Sequence, residues 1–221
     1  MKKNRDIIRA SYTKLFKAFG KQSWWPTQGI KNPKFEIIIG TILTQNTAWR
    51  NAEKAIINLC CGDLIDISSI KKINQNKLSR LIKSAGYYNQ KAERLKLLAQ
   101  HLAKYPSIKV FFSRPVEELR DELLSIKGIG PETADSILLY AGDKPSFVID
   151  AYTRRIFSRV GICRKDIDYH DLQKIFIDSL KSDVQLFKEY HALIVECAKL
   201  FCKKKAQCEK CPLTKLCKKR F

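Results

Sequence analysis

The sequence predicts an all-α protein. Apolar residues recur at helical spacing through almost all of its 221 residues. Two-residue alternation of Val and Ile is scarce, and Pro or Gly stands where a helix should start or stop. Asp6 to Phe19 sets Ile7, Ile8, Tyr12, Leu15, Phe16 and Phe19 on one face, with Gly20 as C-cap. Residues 21–34 read as a loop. Phe35 to Gln45 is too apolar for a surface helix and should be buried. Trp49 to Cys60 is amphipathic, and Asn76 to Ser84 is a short helix closed by Gly86. Gln90 to Tyr105 spaces Ala92, Leu95, Leu98, Ala99 and Leu102 along one face before Pro106 stops it. Pro115 to Leu124 and Pro131 to Ala141 each open with proline at the first helical position. Asp150 to Val160, Asp168 to Lys181 and Val184 to Leu200 complete the helices. The chain has no internal repeat and no low-complexity linker.

Lys and Arg number 42 against 22 Asp and Glu, a net charge of +20, while 45% hydrophobic content is enough for a real core. Such a charge on a folded body favours a polyanionic partner, nucleic acid ahead of an anionic membrane. A Lys-rich proteome would shift the charge in the same direction. The most apolar run, Phe35 to Leu43, carries Glu36 and is too short to span a bilayer, so no membrane partner is expected. The opening MKKNRD has no apolar signal core. The expected location is cytoplasmic, with nucleoid association in a prokaryote-like cell, and the expected state is a monomer. Eight cysteines in that compartment suggest metal ligands rather than disulfides.

Three local features carry chemistry. Lys127-Gly128-Ile129-Gly130 lies between two helical patterns. Two glycines around one apolar residue suit a tight connection of positive φ, with Ile129 tucked between the helices. Backbone N–H groups at the second helix's start would then suit a phosphate oxygen, although an ordinary αα-hairpin has the same spacing. Asp150 follows the apolar run Phe147-Val148-Ile149 and precedes a helix. Most aspartates so placed only cap. The same geometry keeps a carboxylate ionised, able to stabilise an oxocarbenium ion or help activate water. Cys202, Cys208, Cys211 and Cys217 end the chain with C-x5-C-x2-C-x5-C spacing. Four thiolates suit a [4Fe-4S] cluster or a tetrahedral Zn²⁺, and spacing does not choose. Lys203, Lys204, Lys205 and Lys210 interleave with them, and residues 197–221 hold nine basic residues against one acid, Glu209. Cys197 is a weaker fifth candidate, and Cys60, Cys61 and Cys163 read as core thiols.

In this order the features resemble the endonuclease III superfamily of helix–hairpin–helix DNA glycosylases. The resemblance runs through FEIIIGTILTQNT (35–47), AGYYNQKAERL (85–95), LLSIKGIGPETAD (123–135), the VID ending at Asp150, and the terminal cysteines. It implies a six-helix barrel over residues 34–144. A second helical domain would join 1–33 to 145–221, with a [4Fe-4S] loop at 202–217. It implies double-stranded DNA with a damaged or mismatched base as partner, and a target nucleotide flipped from the stack. Asp150 matches the essential aspartate. Gln45 matches a residue that fills the gap left by the flipped base, Tyr87 a wedge into the opposite strand, and Gly128 and Gly130 the phosphate-gripping hairpin, where Lys127 also lies. Strand-cutting members carry a lysine eighteen residues before the aspartate. Here that position is Glu132, which cannot form an imine. The first cysteine gap is five residues where six is usual.

Ser23-Trp24-Trp25-Pro26, TQNT followed by Trp49, and YNQKAERL resemble the 3-methyladenine glycosylase branch, which also has Glu in the hairpin. An electron-poor alkylated purine stacks well on aromatic faces, and Trp24, Trp25 and Trp49 are all the tryptophans of the chain. They are expected in the base pocket with Glu132, although plugs between domains would use the same residues. The expectation is a monofunctional glycosylase for an alkylated purine. Its rivals are a bifunctional glycosylase/lyase for oxidised pyrimidines, a T·G mismatch glycosylase and a non-catalytic DNA-binding module.

Overall fold

Every segment with helical period folds as a helix in the computed structural model, which describes residues 2–28 and 32–219. No strand occurs among the described residues. Residues 29–31 of the loop read over 21–34 lie outside them. The chain divides into two compact units, Trp25–Lys144, and Met1–Trp24 with Pro145–Phe221.

The first unit holds α2 (Pro33–Leu43), α3 (Trp49–Cys61), α4 (Ile67–Lys72), α5 (Gln75–Leu81), α6 (Tyr88–Leu102), α7 (Ile108–Phe112), α8 (Val116–Leu124) and α9 (Pro131–Ser136). The apolar α2 is the core element: Phe35, Ile38, Ile39, Ile42 and Leu43 are all at most 1% exposed. It packs against α3, α6 and α9. Asn32 caps it by accepting from the Phe35 N–H, and Pro33 opens it. α4 and α7 are additions to the sequence reading. At six and five residues they are too short to show a period, yet each has a side-chain N-cap, Asp66 and Ser107. Pro115 is the N-cap of α8, with ψ 148°, rather than its first helical residue. α9 runs on as a π-helical turn over Ile137–Ala141, fully buried. Trp25, expected with the second domain, belongs to this unit because its ring packs on Gly40, Trp49 and Tyr140.

The second unit holds α1 (Lys2–Phe19), α10 (Ala151–Val160), α11 (Tyr169–Ser179) and α12 (Val184–Leu200). α1 packs on α11 and α12, and α10 on α12. Its core is aromatic. Phe147 stacks on Phe176 at 4.4 Å, Phe157 meets Phe176 edge-on at 4.8 Å, and the Tyr190 hydroxyl donates to the Ile8 carbonyl at 2.7 Å. Gly20 closes α1 with φ +67°. Phe16, expected on the buried face of α1, is 41% exposed. No helix among the described residues is long and apolar enough to cross a membrane.

Candidate functional site

Asp150 is the N-cap of α10. Its Oδ1 accepts from the Thr153 N–H at 2.7 Å and the Thr153 hydroxyl at 2.8 Å. Its Oδ2 faces His191 Nε2 at 3.6 Å, and the side chain is only 14% exposed. Burial pushes the carboxyl up. The His191 ring and the Thr153 donors outweigh that and hold it below its ordinary value. Capping and ionisation are thus one arrangement. His191, on α12, is a site residue that sequence reading missed. Its only signal was a histidine on a helix whose other inward residues are apolar.

Gln45 points inward. Its amide N–H groups donate to Thr133 Oγ1 at 2.9 Å and the Gly128 carbonyl at 3.2 Å, and its oxygen accepts from Arg94. The next residue, Asn46, is exposed and left-handed at φ +50°. Tyr87, the N-cap of α6, is also left-handed at φ +45° and is 66% exposed. Of the two, only Tyr87 is unusual there, since Asn adopts the left-handed region readily and an aromatic residue seldom does.

In the hairpin, Ile129 is buried at 4% exposure. Only Gly128 has the expected positive φ, +88°. Gly130 is extended at φ −94°, a conformation open to any residue. A Cβ on Gly128 would lie 2.5 Å from Arg94 Nε, so that glycine is required by both conformation and space. A Cβ on Gly130 would meet nothing within 4 Å, which leaves open surface before α9. Lys127 is 79% exposed and pairs with Glu93 on α6 at 2.8 Å. Glu132 is exposed in the first turn of α9.

Trp25 and Trp49 belong to one unit and Trp24 to the other. Trp25 and Trp49 meet edge-on at 5.5 Å, and Tyr140 joins Trp25 at 5.3 Å. Gly40 makes this possible, since a Cβ there would lie 2.8 Å from the Trp25 ring. Trp24 belongs to the other unit, with the Lys199 ammonium 5.7 Å from its ring centroid.

Cys202, Cys208, Cys211 and Cys217 line one small cavity beside α10 and α12, together with Arg159 and Phe201. Arg159 Nη1 lies 3.3 Å from Cys202 Sγ, and the Lys219 N–H donates to Cys217 Sγ at 3.3 Å. Donors aimed at sulfur suit thiolate ligands. Among the described residues no three His, Cys, Asp or Glu side chains converge as a single-ion site. Cys197 is buried with its thiol against Cys211. Cys61 is exposed rather than a core thiol.

Residues 39–181 match the HhH-GPD superfamily base excision DNA repair protein family. A candidate DNA repair glycosylase of Methanocaldococcus jannaschii is 45% identical, over 98% of this chain and 99% of that protein. The H. pylori 3-methyladenine DNA glycosylase, solved bound to 1,N6-ethenoadenine, is 30% identical with a TM-score of 0.74, over 89% of this chain and 97% of that one. An endonuclease III–DNA complex superposes with a TM-score of 0.80 over 97% and 95% of the two chains; at 23% identity it speaks to the fold.

Proposed function

This chain belongs to the HhH-GPD superfamily of base excision DNA repair proteins and is a DNA glycosylase, and we propose that it hydrolyses an alkylated purine from duplex DNA without cutting the strand. The observation that carries the chemistry is Asp150, a carboxylate held ionised in a mostly buried setting by Thr153 and His191. Loss of the base leaves positive charge on the deoxyribose, which a fixed nearby carboxylate stabilises. A purine alkylated at N3 or N7, such as 3-methyladenine, already carries charge in its ring, so it departs without a strong general acid. Glu132 supports hydrolysis over lyase chemistry, because a carboxylate has no amine to attack C1′ of the sugar. The 30% identical glycosylase seen with 1,N6-ethenoadenine supports the substrate class. So does the edge-on pair of Trp25 and Trp49, both half-buried, which offers aromatic surface for a flipped base, with the buried Tyr140 ring behind Trp25. Trp24 is the weaker pocket residue, since Lys199 already sits by its ring and disfavours a cationic base there.

In this reading Lys127, Gly128 and Gly130 take a backbone phosphate at the start of α9. Tyr87 enters the opposite strand. Gln45, whose amide contacts the hairpin in the free protein, fills the gap left by the base, and the exposed Asn46 beside it enters the duplex on the same loop. The four cysteines hold a [4Fe-4S] cluster. Four thiols that line one cavity are the donor set such a cluster takes. The cluster would order the lysine-rich loop, and no step of base release runs through it. Iron and acid-labile sulfide in the purified protein support it, and stoichiometric zinc overturns it.

The test of the activity is single-turnover release from duplexes carrying 3-methyladenine, 1,N6-ethenoadenine, thymine glycol, uracil or T·G. Release of the alkylated purines, lost by at least about a hundredfold in Asp150→Asn with duplex affinity kept, is the expected result. Preferred release of thymine glycol or of T from T·G overturns the substrate class. A covalent adduct trapped by borohydride overturns the monofunctional reading.

A further inference from the structure

Lys91, on α6, is 1% exposed, and its ammonium uses all three protons inside the barrel unit. It donates to the Leu43 carbonyl at 2.8 Å, the Thr47 hydroxyl at 2.7 Å and the Ala85 carbonyl at 2.8 Å. Thr47 in turn donates to the same Ala85 carbonyl. These acceptors are all uncharged. Burial, with Arg94 nearby, lowers the amine to about 8, so it is mostly protonated at neutral pH. A buried ammonium without a carboxylate partner is a costly way to fill a core position, where Leu or Met would pack at no such cost. Its acceptors show what the charge achieves. Leu43 is the last residue of α2, whose terminal carbonyls lack helical partners. Thr47 lies in the loop that carries Asn46, and Ala85 ends the 3-10 turn that leads to Tyr87. The Lys91 N–H also donates to the Tyr87 carbonyl at 3.0 Å.

We propose that Lys91 is a positioning residue that locks two separate loops, 44–48 and 85–88, at one spacing, so that Asn46 and Tyr87 enter the two strands of the duplex together. The proposal rests on the reading that these loops penetrate DNA. No other side chain in the unit donates to the α2 terminus and to both loops at once among the described hydrogen bonds. The left-handed backbone at Tyr87 is uncommon for an aromatic residue and is held by surroundings of this kind, whereas Asn46 adopts it readily.

The test compares Lys91→Met, which keeps the stem and removes the three bonds, and Thr47→Val, a milder cut of the same network. Both are made in the wild-type chain and in Asn46→Ala/Tyr87→Ala. The readouts are single-turnover release of 1,N6-ethenoadenine, fluorescence of 2-aminopurine opposite the lesion, and affinity for undamaged duplex. In the wild-type background Lys91→Met is expected to slow release by roughly tenfold to a hundredfold and to weaken the 2-aminopurine response. Undamaged-duplex affinity should stay within about twofold, because the hairpin makes that grip. In Asn46→Ala/Tyr87→Ala, Lys91→Met should add less than about twofold, the signature of acting through those residues. Equal losses in both backgrounds overturn the proposal, as does wild-type release by Lys91→Met. If Lys91→Met does not fold, Thr47→Val carries the same comparison. Unchanged release by Asn46→Ala/Tyr87→Ala itself overturns the loop reading, and the positioning role with it.

Discussion

At Asp150 the helix cap and the ionised carboxylate are one arrangement. The two donors from Thr153 that begin α10 are the ones that keep the carboxylate charged, and His191 adds to them across the unit's interior. The sequence made the aspartate visible but not its histidine, because α10 and α12 meet only in three dimensions. Glu122 is the counterpart for stability. Burial pushes it up, yet hydrogen bonds from Tyr105, Arg114 and His101 outweigh this and hold it at about 2. A depressed carboxylate contributes stability above its unfolded value, and that contribution is lost as pH falls through the folded one. Glu122→Gln should therefore lower the unfolding free energy at pH 7 by about 1–3 kcal/mol. In urea titrations the gap from wild type should hold above about pH 5 and close between 4.5 and about 2. A gap that does not change with pH would show that packing, not charge, holds this cluster.

At the scale of elements, α6 emerges as the organiser of the barrel unit's functional edge. Its first two turns present Lys91, Glu93 and Arg94, which engage in order the two loops, Lys127 and the Gln45–Gly128 contact, and the exposed Tyr87 caps it. This gives the YNQKAERL segment a physical content that its helical period alone does not convey. The Glu93–Lys127 pair is exposed and therefore weak, so a DNA phosphate can replace the carboxylate. Glu93→Gln should raise affinity for undamaged duplex roughly two- to tenfold at low salt. Its plot of log affinity against log salt should steepen by no more than about one phosphate's worth. Reduced affinity would mean that Glu93 orders the hairpin rather than competing for Lys127. The long helices were legible because their apolar period exceeds two turns. α4 and α7 were not, and the π-helical turn after α9 was hidden because an extra residue in one turn leaves composition unchanged.

For the whole molecule, the net charge of +20 makes binding to DNA strongly salt-dependent while leaving base choice to the pocket. Between low and physiological salt, affinity for any duplex should fall linearly on a log–log plot, and the ratio of release rates among damaged bases should not move. A ratio that shifts with salt would place charge in base selection. Many lysines, such as Lys71, Lys72 and Lys104, stand near no motif and add only to this general field. The sequence by itself determined the all-α class, the hairpin, Asp150 as a cap, and the four cysteines, because period, caps and ligand spacing are local properties of a chain. The tertiary structure decided which neighbours turn in and which turn out. Gln45 is bound to the hairpin while Asn46 faces outward, Trp25 joins Trp49 while Trp24 goes with Lys199, and Lys91 is buried although its type is the most solvent-seeking of all. Each of these depends on acceptors or rings supplied by segments tens of residues away, and only the folded chain brings those together.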